Sequence, residues 1–410
     1  DQIPTNSFEL NEDTSSYLFN LYGNKISSQR GMFKMKFEEK LNLWIEKAVA
    51  DPDLKAELEA MKNDEDAVYE CFYKDLEFGT AGLRGIIGAG SNRMNVYTVG
   101  RATQGLSEYV KRVGGESVAI AYDSRIKSDV FARVAAEIFA GNGIKVYIYK
   151  ELMPTPMLSF AVRRFKCDAG VVVTASHNPS KYNGYKAYGP DGCQLGLEAA
   201  DYVLSIMNSV DAFEDVKSLD FEAGIEKGLI EFIDEQIIEE YLNKVREQRV
   251  SPELDMSILD VIYTPLHGSG NKPVRSILKK IGVKNVTVVK EQELPDGNFP
   301  TAPYPNPEIR QPFECALSLA QRLKPDLLLA TDPDADRVGI AVPEGEDYRL
   351  LTGNEVGAML LDYVLLRRSE KGTLPKAPVA VKSIVSTSIC DKIAAKYGCQ
   401  MRNVLTGFKY

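Results

Sequence analysis

Histidine is nearly missing from this chain: 410 residues contain two, His177 and His267. Two cannot build a three-histidine zinc site, and any histidine-dependent chemistry must fall to one of them. Cysteine is scarce too, and its six positions (71, 167, 193, 315, 390 and 399) include no Cys-x-x-Cys pair. So few thiols in so long a chain suit a reducing, cytoplasmic setting. Positive charge is not in excess, because 49 Lys and Arg against 58 Asp and Glu give −9. With no long basic run, a nucleic acid or an anionic membrane lacks its electrostatic footprint, and an anionic substrate needs a locally basic pocket. Long apolar runs are missing as well. Asp362, Arg367 and Arg368 interrupt the most apolar helix-like stretch, well short of the roughly 18 residues a membrane span needs. The N-terminus has neither the basic nor the apolar segment of a secretory signal. A water-soluble protein is expected.

What remains is ordinary globular composition, 44% apolar and 26% charged, long enough for two to four domains of roughly 100 to 200 residues. Residues 1–31 are polar with little periodicity, and 1–35 read as a poorly ordered segment or an extension, since Met32 and Met35 are plausible native starts. From Lys36 to about Tyr73, Leu41, Trp44, Ile45 and Val49 recur at helical spacing and predict a helical preface. A βαβ pattern then appears three times. Val118–Ala121 reads as a strand, Val130, Val134, Ile138 and Phe139 as a helix face stopped by Gly143, and Val146–Tyr149 as the next strand. Ile258–Tyr263, a helix opened by Pro273 and closed by Gly282, and Val286–Val289 repeat it. Val379–Val385, a helix carrying Ile389, Ile393 and Tyr397, and Asn403–Leu405 begin it again.

In the first two units a further strand runs into an unusual loop: Ala169–Thr174 into Ala175-Ser176-His177, and Leu327–Thr331 into Asp332-Pro333-Asp334. Loops at the carboxyl ends of strands are where α/β sheets bind ligands. The fold class read here is three related α/β domains on mixed sheets with helices on both faces, the third incomplete. The boundaries are 36–210 (helical preface and first domain, with the Ser176 loop), 211–345 (second domain, with the aspartate loop) and 346–410 (third).

Thr174-Ala175-Ser176-His177-Asn178-Pro179 leaves a buried strand for a polar turn, which predicts an exposed Ser176. It is not a Gly-x-Ser-x-Gly elbow, and adjacent side chains usually point apart, so activation of Ser176 by His177 in the hydrolase manner is not expected. A serine can instead carry a phosphoryl group where cations neutralise the charge. Taken alone, the hexapeptide reads more simply as an Asn-Pro turn.

Asp332, Asp334 and Asp336 alternate directly after an apolar strand. Three carboxylates this close repel one another unless a hard cation binds them, which suits magnesium. The EF-hand reading fails, because Arg337 and Pro343 stand where that loop requires Gly and Glu. Three protein oxygens leave the ion room for a phosphate oxygen. Phe78-Gly79-Thr80-Ala81-Gly82-Leu83-Arg84-Gly85 offers glycine amides and the Arg84 guanidinium to an anion, though it matches neither nucleotide-binding glycine motif. Lys186 follows Ser176 on what reads as a continuation of the same loop, where neighbouring cations would lower its pKa enough for acid–base work. Lys382 ends the first strand of the third unit, and His267 reads as orienting the helix start at Pro273.

Together these residues resemble the α-D-phosphohexomutase superfamily, the phosphoglucomutases and phosphomannomutases. The match runs from about Phe78 to Tyr410, and TASHNP followed by DPDADR roughly 155 residues later is far more specific than either motif alone. FGTAGLRG and the helical preface look most like its phosphoglucomutase and phosphopentomutase-like branch.

The resemblance implies four domains around a cleft, the fourth lying outside this chain along with the sugar-selecting Glu-x-Ser loop of the third. It implies that Ser176 is the phosphoserine and that one Mg2+ per site is held by Asp332, Asp334, Asp336 and Ser176. Arg84 and Arg337 would neutralise charge, His177 and Lys186 would serve as acid and base, Asn178 would support the loop, and Lys382 would touch substrate. The implied reaction interconverts glucose 1-phosphate and glucose 6-phosphate through glucose 1,6-bisphosphate, which also serves as activator. Mannose, ribose or deoxyribose phosphates are the alternative substrates. Small sugar phosphates are then the partners, with neither nucleic acid nor membrane, in a cytoplasmic monomer or homodimer. Two rivals come from other classes. An aspartate-nucleophile phosphatase would attack through Asp332, but Asp336 stands where that motif usually has Thr or Val. A non-catalytic sugar-phosphate sensor would not need Ser176, Lys186 and all three aspartates.

Overall fold

A computed structural model of the chain describes residues 37–79, 82–407, 409 and 410. The expectation for residues 1–35 lies outside the described residues, as do Thr80 and Ala81 of the glycine-rich segment. The chain forms two compact units.

The described part of the smaller unit covers 37–75 and Gly88–Arg93. It is helical, as the periodicity predicts: α1 (37–47), α2 (Pro52–Ala60) and α3 (Glu65–Phe72). Asp51 and Asp64 cap α2 and α3 by accepting from the backbone N–H groups of Asp53 and Ala67, which satisfies donors a helix start otherwise leaves unpaired. Leu41, Trp44, Leu54, Leu58, Val68 and Phe72 form the buried stripe, and Trp44 meets Phe72 edge to face at 5.8 Å.

The larger unit, Leu76–Ile87 with Met94–Tyr410, carries three sheets among its described residues. The first is assembled from β1 (Leu83–Ile86), α4 (Val96–Arg112), β2 (Ser117–Tyr122), α5 (Ser128–Gly141), β3 (Lys145–Ile148), α6 (Thr155–Phe165), β4 (Ala169–Val173), β5 (Tyr182–Tyr188), α7 (Leu197–Ser209), α8 (Phe221–Glu226) and β6 (Ile230–Phe232). Its strand order is β1-β5-β4-β2-β3-β6. β4, β2, β3 and β6 are parallel, while β5 runs antiparallel to both β4 and β1. All five residues of β4 are buried, the continuous apolar run expected of a strand covered on both faces. α4, α5 and α7 cover one face through Val99, Leu106, Phe131, Phe139 and Val203, and α6 covers the other through Met157, Leu158 and Val162. Each large apolar side chain so buried contributes about 1.5–3 kcal/mol. Because β6 pairs with β3, the first sheet draws on residues beyond 210, where the sequence reading starts the second domain.

α9 (Glu235–Glu247) leads to the second sheet, built from β7 (Asp260–Thr264), α10 (Asn271–Lys280), β8 (Asn285–Val288), α11 (Glu314–Leu323), β9 (Leu327–Thr331), β10 (Val338–Glu344) and β11 (Asp347–Leu351). The order is β11-β10-β9-β7-β8, again mixed. Ile258 belongs to a 3-10 turn rather than to β7, and α10 opens at Asn271, two residues before Pro273. The third segment has α12 (Gly353–Glu370), β12 (Val379–Ser383), α13 (Ile389–Lys396) and β13 (Gln400–Val404), with β12 and β13 a parallel pair. Three α/β segments recur as read from the sequence. Among the described residues, no helix is long and apolar enough to cross a membrane.

Candidate functional site

Ser176 follows β4 and is only 4% exposed, contrary to the exposed position its polar turn predicts. Its backbone is left-handed, φ 55°, a conformation that costs a residue with a Cβ about 1–3 kcal/mol. The Ser176 N–H donates to Thr174 Oγ1 at 2.8 Å, and the turn aims Ser176 Oγ into the protein. There it donates to Asp332 Oδ2 at 3.0 Å and stands 3.2 Å from His177 Nδ1. Adjacent side chains diverge in an extended chain, but the left-handed residue folds these two together, against the sequence expectation. Burial, then the nearby charges of Arg337 and Arg84, push the half-buried His177 below the usual histidine range, which favours the neutral imidazole.

Asp332, Asp334 and Asp336 leave β9 through a turn in which Ala335 is left-handed, φ 48°. One oxygen from each lies within 4.8 Å of the others. Asp332 Oδ1 accepts from the Arg337 N–H at 3.0 Å. Asp334 Oδ2 accepts from Lys186 Nζ and from Thr155 Oγ1, both at 2.8 Å, while Asp334 Oδ1 is buried with no hydrogen-bond partner among the described residues. Lys186 Nζ also lies 3.4 Å from Asp336 Oδ2. Burial and the adjacent carboxylates of Asp334 and Asp336 push Asp332 well above the usual carboxylate range. Asp334 stays ionised, because the Lys186 ammonium and the hydrogen bonds from Lys186 and Thr155 together outweigh its burial. Fully ionised, three carboxylates and one ammonium sum to −2, a charge a hard divalent cation would balance, and the orphaned buried oxygen fits such an ion.

Lys186 sits in β5, directly across from Val172 of β4, and not on the loop continuation read from the sequence. Burial alone would lower its pKa, but Asp334 and Asp336 hold it above the ordinary lysine value, the reverse of the lowered value expected from neighbouring cations. Gly184 explains how β5 runs so close: a Cβ there would meet Thr174 O at 2.5 Å and Leu83 O at 2.9 Å. Arg84, on β1, places Nη1 3.4 Å from Asn178 Oδ1. Arg337 reaches Glu308 at 3.7 Å. The fold therefore gathers Ser176, His177, Asn178, Lys186, Arg84, Arg337 and the three aspartates. Lys382 stands apart on β12, bonded to the Ser386 carbonyl and paired with Asp391 at 3.1 Å. The His267 ring bonds the Leu294 carbonyl and Thr301 Oγ1 rather than the helix start its sequence position suggests.

Sequence reasoning passed over Asp123, Arg125 and Thr155. Thr155 opens α6 and donates through both N–H and Oγ1 to Asp334. Asp123 and Arg125 follow β2 and form an ion pair at 3.3 Å with both side chains fully buried. Burial pushes the Asp123 carboxyl up and the Arg125 guanidinium down, and each is the other's main counterweight. The available signal was Asp-Ser-Arg directly after an apolar strand.

A strained serine beside three carboxylates and a lysine, after strands of two α/β sheets, has the donor set that a divalent cation and an anionic oxygen require. Three family models match in succession: phosphoglucomutase/phosphomannomutase, alpha/beta/alpha domain I over residues 75–214, domain II over 239–345 and domain III over 352–410. A phosphoglucomutase of Staphylococcus saprophyticus is 37% identical over 337 residues, covering 82% of this chain and 60% of that protein. One from Staphylococcus aureus is 34% identical over 373 residues, covering 90% and 65%. A solved structure described as a putative phosphomannomutase from Thermus thermophilus superposes with a TM-score of 0.67 at 27% identity, covering 82% of this chain and 70% of that one. The chain belongs to the α-D-phosphohexomutase superfamily. It spans about 60% of the length of the curated relatives it matches.

Proposed function

We propose that this chain carries the phosphoserine and metal-binding parts of a phosphoglucomutase that interconverts glucose 1-phosphate and glucose 6-phosphate. One observation carries the reading: Ser176 Oγ, on a left-handed turn, lies 3.0 Å from Asp332 in a cluster of three carboxylates. The 34–37% identity to proteins named phosphoglucomutase supports the choice of sugar. Phosphate on Ser176 passes to a sugar hydroxyl: the hydroxyl oxygen bonds to phosphorus, the P–Oγ bond breaks, the hydroxyl gives up its proton and Oγ takes one. The glucose 1,6-bisphosphate so formed turns over and returns its other phosphate to Ser176.

Asp332, Asp334, Asp336 and the phosphorylated Ser176 would hold one Mg2+. The bound ion would withdraw charge from the phosphoryl oxygens and make phosphorus more electrophilic. His177, largely neutral and 3.2 Å from Oγ, exchanges the serine proton. Lys186, protonated among the carboxylates, offsets charge and donates. Arg84 and Arg337 meet the phosphate oxygens as bidentate donors, with Asn178 supporting the loop and Lys382 reserved for the sugar phosphate. The protein acts on small sugar phosphates in the cytoplasm.

Phosphopeptide mapping after incubation with magnesium and glucose 1,6-bisphosphate tests the reading, with Ser176→Ala as control. Acid-stable phosphate on Ser176 is expected. Label on Asp332, labile in alkali, would instead establish an aspartyl phosphatase. Competition among glucose, mannose and ribose 1-phosphates for the labelled protein ranks the sugars, and glucose is expected to discharge Ser176 fastest.

A further inference from the structure

Three backbone donors of the loop from Ser176 to Tyr182 are paired locally. The N–H of Ser176 bonds Thr174 Oγ1, that of Asn178 bonds the Ala175 carbonyl, and that of Tyr182 bonds the Pro179 carbonyl. One side chain from elsewhere satisfies four of its carbonyls. Arg125 Nη1 donates to the carbonyls of Pro179 and Tyr182, each at 3.0 Å, and Nη2 donates to those of Ser176 and Asn178, each at 2.5 Å. Its Nε makes the 3.3 Å ion pair with Asp123, and the guanidinium covers the Phe299 ring 5.0 Å from the centroid. Asp123 is held in turn by Ser128 Oγ and Thr174 Oγ1, both at 2.7 Å, and by the Arg125 N–H at 2.9 Å.

We propose that Arg125, backed by Asp123, is the positioning residue of the Ser176 loop. It holds Ser176 in the left-handed turn that keeps Oγ facing Asp332, and it acts through four backbone carbonyls without touching the transferred group. A buried carbonyl needs a donor, and a strained residue persists only where its surroundings over-determine it. A planar fork of N–H donors reaches four carbonyls at once; an ammonium, with three donors on one atom, does not. Asp123 fixes the direction of that fork. The consequence for phosphoryl transfer rests on the reading of Ser176 given above, whereas the hold on the loop rests on geometry alone.

The test compares the full chain with Arg125→Lys, Arg125→Met and Asp123→Asn. Amide hydrogen exchange is measured without ligand, and the rate of Ser176 phosphorylation is measured with magnesium and glucose 1,6-bisphosphate. In Arg125→Lys, exchange across residues 174–183 is expected to rise about tenfold with β7 unchanged. Phosphorylation should slow by about 100-fold, the order of effect a misplaced reacting group produces, with little change in the bisphosphate concentration giving half the maximal rate. Unchanged exchange in the loop would overturn the proposal. So would a uniform rise across the chain, which marks a merely structural residue, or a loosened loop that is phosphorylated at the wild-type rate. If the unaltered chain takes no label on Ser176, the reaction assigned to that serine fails, and the exchange data alone decide the hold on the loop.

Discussion

Ser176 and Asp332 are 156 residues apart in the chain, yet the serine Oγ donates a 3.0 Å hydrogen bond to the aspartate. The contact joins the carboxyl end of β4 in the first sheet to that of β9 in the second. It places a hydroxyl oxygen against a cluster of crowded carboxylates, and the first prediction follows from that crowding.

Asp332→Asn removes one of three crowded carboxylates, the one that burial and its neighbours push furthest up. Without metal, the variant should melt at or above the temperature of the unaltered chain, because like-charge repulsion is relieved. The stabilisation produced by magnesium should fall, by about 1.4 kcal/mol for each tenfold loss of affinity. Thermal melts with and without magnesium chloride decide it. A less stable metal-free variant with an unchanged magnesium response would contradict the cluster's assignment as a cation site.

Thr155→Val deletes the hydroxyl that donates to Asp334 Oδ2 at 2.8 Å while keeping nearly the same shape. Hydrogen bonds to buried charged groups contribute about 1.5–3 kcal/mol. Urea unfolding should show a loss of that size, and Thr155→Ser should recover most of it. A change below about 0.5 kcal/mol, ordinary for a surface substitution, would mean that Lys186 alone satisfies this carboxylate.

Gly297→Ala adds a Cβ 2.5 Å from Ile126 N and 2.9 Å from Arg125 C. Both are backbone atoms, so the strain has no flexible side chain to relax into. A stability loss of about 1–3 kcal/mol is expected, the usual cost of overpacking, with faster exchange near Arg125. Wild-type stability would show that the segment carrying Gly297 shifts freely.

Alkaline pH should weaken the fold through Cys167. Burial pushes this thiol from 9.0 up to about 12, so the folded state keeps the proton longer than the unfolded chain does. Its contribution to stability is complete below pH 9 and is lost as pH rises from 9 towards 12. The stability difference between the unaltered chain and Cys167→Ala should therefore shift steadily across that window and stay constant below it. Iodoacetamide at about pH 8, near the ordinary thiol range, should modify the half-exposed Cys193 and Cys315 before Cys167. Early labelling of native Cys167 would refute this assignment.

Much of the site was legible because its chemistry is concentrated in short segments. Asp332, Asp334 and Asp336 lie within five residues, and their crowding implies a cation before any coordinates are known. The apolar runs placed β2, β4 and β9 within a residue or two, since a short apolar run ending at polar residues is a local signal. β6 was not legible: its three residues pair with β3 more than eighty positions earlier, and three residues show no period. Lys186 was placed on a loop because Tyr182–Tyr188 mixes glycine, asparagine and lysine, which weaken a strand. Two neighbouring strands override that preference.

The sequence by itself determined the residue types of the site, its order along the chain and the family resemblance, because the carboxylate cluster and the Ser176 turn are each written in a contiguous motif. The burial of Ser176, the approach of His177 to its Oγ, the charge state of Lys186 and the grip of Arg125 on four carbonyls were decided only by the tertiary structure. Each depends on a backbone torsion or on groups from other strands, and burial, electrostatic shifts and hydrogen-bond direction arise only when those strands are brought together.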